Sequence, residues 1–174
     1  MEGFLNPSEV LNQLELRENM IAADFGSGSG GWVIPLAKRL KEGRVYAIDI
    51  LEEPLSALKN KASLEQISNI DMIRANIEGE KGAKVPDSIC DLVLMTNLLF
   101  QVEDRQKALS EAKRVLRPEG KVLVVDWKLE SSLGPKEGKV SPEEVKKLAG
   151  SLGLNLEKEF PAGIYHYGLV FKKK

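Results

Sequence analysis

Residues 24 to 32, DFGSGSGGW, place glycines at 26, 28, 30 and 31 directly behind the apolar run MIAA. Glycine gives up backbone order where a turn needs positive φ or where something must come close to the main chain, so the stretch marks a ligand-binding turn. Two fingerprints overlap in it. Gly26, Gly28 and Gly31 satisfy G-x-G-x-x-G, which seats a pyrophosphate on a helix N-terminus, and Asp49 follows about twenty residues on, where a carboxylate takes ribose hydroxyls. Gly26, Gly28 and Gly30 satisfy G-x-G-x-G, with Asp24 two positions ahead of it. A carboxylate at the end of the preceding strand repels a pyrophosphate held at the helix N-terminus. It suits a ligand that carries cationic groups beside its anionic one. Read plainly, Asp24 is also just a polar strand end.

Other residues with chemical capacity are few. The segment GIYHYG, 163–168, holds the only histidine, His166, between Tyr165 and Tyr167. Alternation along a strand sends His166 to one face and the tyrosines to the other. His166 titrates near neutrality and is a candidate base, while the tyrosines are candidates for orienting a polar or cationic head group. All three are also ordinary residues for closing the end of a core. Asn97 ends an apolar run and is either a ligand contact or a strand cap. Trp32 and Trp127 follow strand ends; Trp32 also belongs to the apolar stripe of its helix. Cys90, the single cysteine, excludes an internal disulfide and a multi-cysteine metal site.

The elements that must position these residues alternate along the chain. MIAADF (20–25), RVYAIDI (44–50), IDMIRA (70–75), CDLVLMTN (90–97) and KVLVVDW (121–127) are near-continuous apolar runs, as strands covered on both faces are. Between them GWVIPLAKRL, PLSALKNKA and DRQKALSEAKRVLRPEG carry helical stripes, the last ended by Pro118 and Gly120. SPEEVKKLAGSLG opens with Ser141 as N-cap and Glu144 closing a capping box, and NPSEVLNQLEL repeats that grammar with Asn6 and Glu9. The terminal pair NLEKEFPAG and YHYGLVFKK is joined by too few residues for a parallel crossover. The expected fold is α/β: an open Rossmann-like sheet of about seven strands, mostly parallel with an antiparallel C-terminal hairpin strand, and helices on both faces. It forms a single domain over 1–174: an N-terminal helix capping the site (1–17), a cofactor-binding core (18–128), and a C-terminal helix and hairpin (129–174).

Composition fits this reading. With 174 residues, 43% hydrophobic, 29% charged and a net charge of −1, the chain is an ordinary globular domain with no field drawing it to nucleic acid or to an anionic membrane. No signal-peptide pattern opens it and no apolar run approaches the length of a membrane span, which points to a cytoplasmic protein.

Four motifs in order carry a resemblance. AADFGSGSGGW, VYAIDI, IRANIEG and the block CDLVLMTNLLFQVEDRQKALSEAKRVLRPEGKVLVVDW resemble the class I S-adenosylmethionine-dependent methyltransferases, of the small-molecule and ubiquinone type, from about residue 6 to 173. The resemblance implies S-adenosylmethionine as cofactor, whose ammonium and sulfonium suit Asp24, and contacts from Asp24, Gly26, Ser27, Gly28, Gly30, Asp49, Ile50, Asn76, Ile77 and Asn97. Asn76 stands where the family usually has an aspartate for the adenine amino group. TNLLF departs from the Pro-Pro pattern of amide and adenine-N6 methyltransferases, and a lone Cys90 argues against cysteine-mediated chemistry.

The implied reaction is in-line methyl transfer to N, O or C of a small-molecule acceptor. A protein, an RNA or a lipid head group remains an alternative, the last because Val10, Leu11 and Leu14 offer an interfacial face. An NAD-dependent oxidoreductase and a non-catalytic cofactor-binding module are further alternatives. The short connection after residue 127 suggests an uncovered site, suited to a large acceptor or to closure by a second subunit in a homodimer.

Overall fold

In the computed structural model, residues 3–174 are described and build one seven-stranded sheet. The strands are β1 (Ile21–Phe25), β2 (Arg44–Asp49), β3 (Ile70–Arg74), β4 (Cys90–Thr96), β5 (Leu116–Trp127), β6 (Leu154–Ala162) and β7 (His166–Lys173). The helices are α1 (Pro7–Leu11), α2 (Val33–Arg39), α3 (Glu52–Leu64), α4 (Arg105–Val115) and α5 (Pro142–Ser151). Strand order is β3-β2-β1-β4-β5-β7-β6, with β1 to β5 parallel and β7 antiparallel to both β5 and β6.

Alternating side chains along the central strands feed two cores. Ala23, Phe25, Val93, Met95, Val122, Val124, Leu169 and Phe171 point to the face covered by α4 and α5. Ala22, Leu92, Leu94, Leu123, Val125 and Val170 point to the face covered by α1, α2 and α3. Every residue of β4 is buried, which is why it reads as an unbroken apolar run. Val10 and Leu11 of α1 are buried in the second core and Leu14 packs against it, so they cap the sheet and form no interfacial face.

Three local expectations are corrected. The strand read as 121–127 begins at Leu116, because Leu116 is fully buried and pairs with Cys90 while Lys121 pairs with Leu92. Helix α4 therefore stops at Val115, ahead of Pro118 and Gly120, and the residues between form an excursion turned by Glu119 at φ 67°. Ser141 caps α5 by accepting from the Glu144 N–H at 3.1 Å, yet Glu144 closes no capping box, since its carboxylate takes Arg105 at 2.8 Å. Finally, the connection after β5 is not a bare link. Residues 128–140 fold back over the end of the sheet, where the Arg105 guanidinium donates to the Gly138 carbonyl at 2.7 Å and Lys139 Nζ to that of Ser131 at 2.7 Å.

Candidate functional site

The carboxyl ends of the parallel strands meet at one rim, where open α/β sheets bind ligands. The turn after β1 is built from its glycines. Gly26, Gly28 and Gly30 adopt φ of 72°, 53° and 93°, and Gly31 does not enter the left-handed region. The G-x-G-x-G spacing, and not the longer one, is thus the pattern the backbone uses. A Cβ at Gly30 would stand 2.4 Å from Leu58 of α3, so that position also fixes helix packing, whereas a Cβ at Gly28 would meet nothing within 4 Å. Gly28 faces open space.

That space is a cleft of about 350 Å³ over the ends of β1, β2 and β3, with the segment after β4 as its far wall. Six of the residues expected from sequence line it: Gly26, Gly28, Asp49, Ile50, Asn76 and Ile77. Asp49 holds the rim together, its two oxygens accepting the Gly28 N–H at 2.8 Å and the Leu51 N–H at 3.0 Å. Asn76 turns the chain by accepting the Glu78 N–H at 2.9 Å and lines the cleft. Leu98, Gln101 and Val102 complete the wall. The apolar LLFQV run inside a loop was the only mark that Gln101 and Val102 left in the sequence.

Asp24, Ser27, Gly30 and Asn97 do not line the cleft. Asp24 is fully buried, and neither carboxylate oxygen has a hydrogen-bond partner. Burial, with the nearby Asp49 charge, pushes its carboxyl well above the usual carboxylate range. Ser27 Oγ and Asn97 Oδ1 are likewise buried and unpartnered. Asn97 caps β4 at φ 50° and extends the ladder by donating its N–H to Val125 O at 2.8 Å, so its side chain is left free of that task. A buried polar group without a partner costs about 1–3 kcal/mol, so such groups gathered at the exits of β1 and β4 suit a ligand that brings polar partners of its own. An ammonium with a neighbouring sulfonium fits the unpartnered carboxylate; a pyrophosphate would add negative charge beside Asp24 and Asp49. The residues present therefore fit S-adenosylmethionine.

The C-terminal candidates separate. Tyr167 points into the core covered by α4 and α5, where its hydroxyl donates to Val140 O at 2.8 Å, and burial pushes its phenol far above the ordinary range. Tyr165 precedes β7 and packs against Phe4 with ring centroids 5.7 Å apart. His166 points to the opposite face, buried, with its ring centroid 4.0 Å from that of Trp127. None of the three lines the cleft. Trp32 is buried along α2. Cys90 is buried, and its thiol is pushed up to about 12, away from nucleophilic use. Asp126, which sequence reasoning missed, is fully buried and ties the exits of β4 and β5 together by accepting the Leu99 N–H at 2.9 Å and the Trp127 N–H at 2.8 Å.

Comparison with known proteins follows the same residues. The family described as "Methyltransferase domain" matches residues 23–124. A demethylmenaquinone methyltransferase of Bacillus mycoides is 27% identical over 135 residues, 76% of this chain and 55% of that protein. A ubiquinone/menaquinone biosynthesis C-methyltransferase of Hydrogenovibrio crunogenus is 32% identical over 114 residues, 64% of this chain and 44% of the other. The chain thus spans about half the length of the curated relatives it matches. A SAM-dependent methyltransferase of Aquifex aeolicus superposes with a TM-score of 0.88 at 27% identity, covering 98% of this chain and 90% of that one.

Proposed function

Since the chain belongs to the methyltransferase domain family, of the class I S-adenosylmethionine-dependent type, we propose that it transfers a methyl group to N, O or C of a small-molecule acceptor. The observation that carries this reading is Asp24, a buried carboxylate with no partner beside a glycine turn that leaves Gly28 open to the cleft. When bound, the cofactor supplies a methyl on a sulfonium, already activated for in-line displacement by the acceptor's electron pair.

The chain's own residues bind and orient. Asp24 holds the cationic aminoacyl end, with Asn97 and Ser27 beside it. Asp49 keeps a lone pair on each oxygen for ribose hydroxyls while its backbone bonds hold the turn shut. Ile50, Ile77 and Val102, which line the cleft, would flank the adenine, with Asn76 at its edge. Fixing this geometry is the main service a methyl transfer needs. The curated relatives are named for quinone-type small molecules, which supports a small acceptor over a protein, an RNA or a lipid head group. Residues 128–140 cover the acceptor side of the rim from within the chain, so closure there needs no second subunit. No helix among the described residues is long and apolar enough to cross a membrane, and none of their His, Cys, Asp and Glu groups is arranged to hold a metal ion.

The test is S-adenosylhomocysteine release from S-adenosylmethionine across a panel of phenols, quinols, amines and carboxylates, with ribosomal RNA and total cell protein as further arms. Release with a small molecule alone is the expected result; release only with a macromolecule would reassign the acceptor.

A further inference from the structure

Among the described residues, every buried side-chain nitrogen or oxygen without a hydrogen-bond partner belongs to Asp24, Ser27, Asn97 or His166. Four residues scattered through the sequence thus gather at one rim. The first three stand at the exits of β1 and β4, within the reach of a ligand in the cleft. His166 does not. It starts β7, paired with Trp127 of β5, two strands beyond β4 and three beyond β1. At about 4.8 Å per strand that is about 10 Å from Asn97 and about 14 Å from Asp24 across the sheet. The cofactor reading accounts for three of the four and leaves His166 unassigned.

Alternation in register places Asp24, Thr96, Trp127 and His166 on one face, at the carboxyl edge of the core that holds Ala22, Leu94, Val125 and Val170. The imidazole is only 4% exposed, with both ring nitrogens unpartnered. Burial, with Lys128 nearby, drives it down to about 4, so it is neutral at any ordinary pH and offers one donor and one acceptor. Its cover is an aromatic ring, Trp127, at 4.0 Å and an interplanar angle of 40°. Above Trp127 lies Gly134, at φ 89°, where a Cβ would fall 2.5 Å from the indole. The segment carrying it exposes Leu129 and Leu133, and Arg105 anchors it at Gly138, itself at φ 81°. Two left-handed glycines thus bracket the part of the rim that covers the histidine.

Resting on the methyltransferase reading, we propose that His166 is a positioning residue of the acceptor site, accepting a hydrogen bond from a hydroxyl of a flat, unsaturated acceptor. That acceptor stacks where the indole now lies, once residues 128–140 swing outward and Trp127 turns off the imidazole. The ring then spans the distance from His166 toward the methyl-bearing end of the cleft, and the hydrogen bond fixes which of its atoms faces the methyl group.

The single histidine makes the test direct, because every imidazole nitrogen signal in the protein comes from His166. Nitrogen NMR of the imidazole is recorded for the protein alone, with S-adenosylhomocysteine, and then with 1-naphthol or 1-methoxynaphthalene added. The cofactor product is expected to leave the signals in place, 1-naphthol to move them, and the ether, which has no hydroxyl to give, to leave them unmoved. In parallel, His166→Gln is expected to bind S-adenosylhomocysteine within about twofold of wild type and 1-naphthol about tenfold more weakly, the loss of roughly one hydrogen bond. Naphthol that fails to bind wild type, or binds His166→Gln equally well, overturns the proposal. Signals that move with S-adenosylhomocysteine alone would assign His166 to the cofactor instead. Absence of S-adenosylhomocysteine binding would count against the methyltransferase reading itself, a separate failure.

Discussion

Two aspartates occupy matching places at the ends of two strands. Asp24 is the last residue but one of β1, in AADF, and Asp126 the last but one of β5, in VVDW, and both are completely buried. Asp126 accepts two backbone N–H groups and ties the exits of β4 and β5 together. Asp24 accepts none. Burial raises both carboxyls, but backbone bonds pull Asp126 back while the Asp49 charge pushes Asp24 further up. A buried carboxylate whose bonds are made within the fold supports structure. One left without partners is held for something that arrives later.

The comparison can be broken at either end. Asp126→Ala leaves two N–H groups buried and unpaired at the rim and should destabilise the protein by about 3 kcal/mol or more, read as a lowered urea midpoint. A change under about 1 kcal/mol would mean that Asp126 is not the strut described. Gly28→Val should act almost wholly on binding: a side chain at φ 53° costs about 1–2 kcal/mol of strain, and the branched group fills the cleft. Affinity for S-adenosylmethionine should fall about a hundredfold or more while the protein stays folded. An unchanged dissociation constant would reduce the loop to a mere turn.

Asp24→Asn sharpens the contrast, because stability and binding should move in opposite directions. The folded carboxyl titrates above its unfolded value, so its contribution is fully present below about pH 4 and is lost as pH rises through the raised value. The ligand-free variant, which lacks this decline, should therefore exceed wild type by a margin that grows as pH rises above about 4 in urea titrations, yet bind the cofactor about tenfold more weakly. A variant less stable than wild type at pH 8 would make Asp24 structural after all. The smallest effect belongs to Tyr167→Phe. It removes one buried hydrogen bond to Val140 and should cost about 0.5–1.5 kcal/mol of stability, with turnover on the acceptor unchanged. A large loss of turnover would return Tyr167 to the active site.

What the sequence disclosed follows from where the physics is local. The glycine turn, the apolar strands and the antiparallel ending were legible because positive φ, burial on both faces and a short connection each leave marks within a few residues. The strand start at Leu116 was hidden because only its pairing with Cys90, far back in the chain, makes it a strand. Asp126 was invisible as a strut for the same reason, since its partner Leu99 sits twenty-seven positions away. Glu144 read as a capping residue until Arg105, thirty-nine positions off, took its carboxylate. The cover over Trp127 depends on a packing contact of Gly134 that no local pattern announces.

The central claim is that the unpartnered carboxylate of Asp24 selects a cationic ligand over a dinucleotide. Calorimetric titration of the protein with S-adenosylmethionine and, separately, with NAD tests it most directly. The account predicts saturable binding of S-adenosylmethionine, weakened by about 1–3 kcal/mol in Asp49→Ala, and no heat of binding from NAD. Micromolar affinity for NAD with none for S-adenosylmethionine would contradict it.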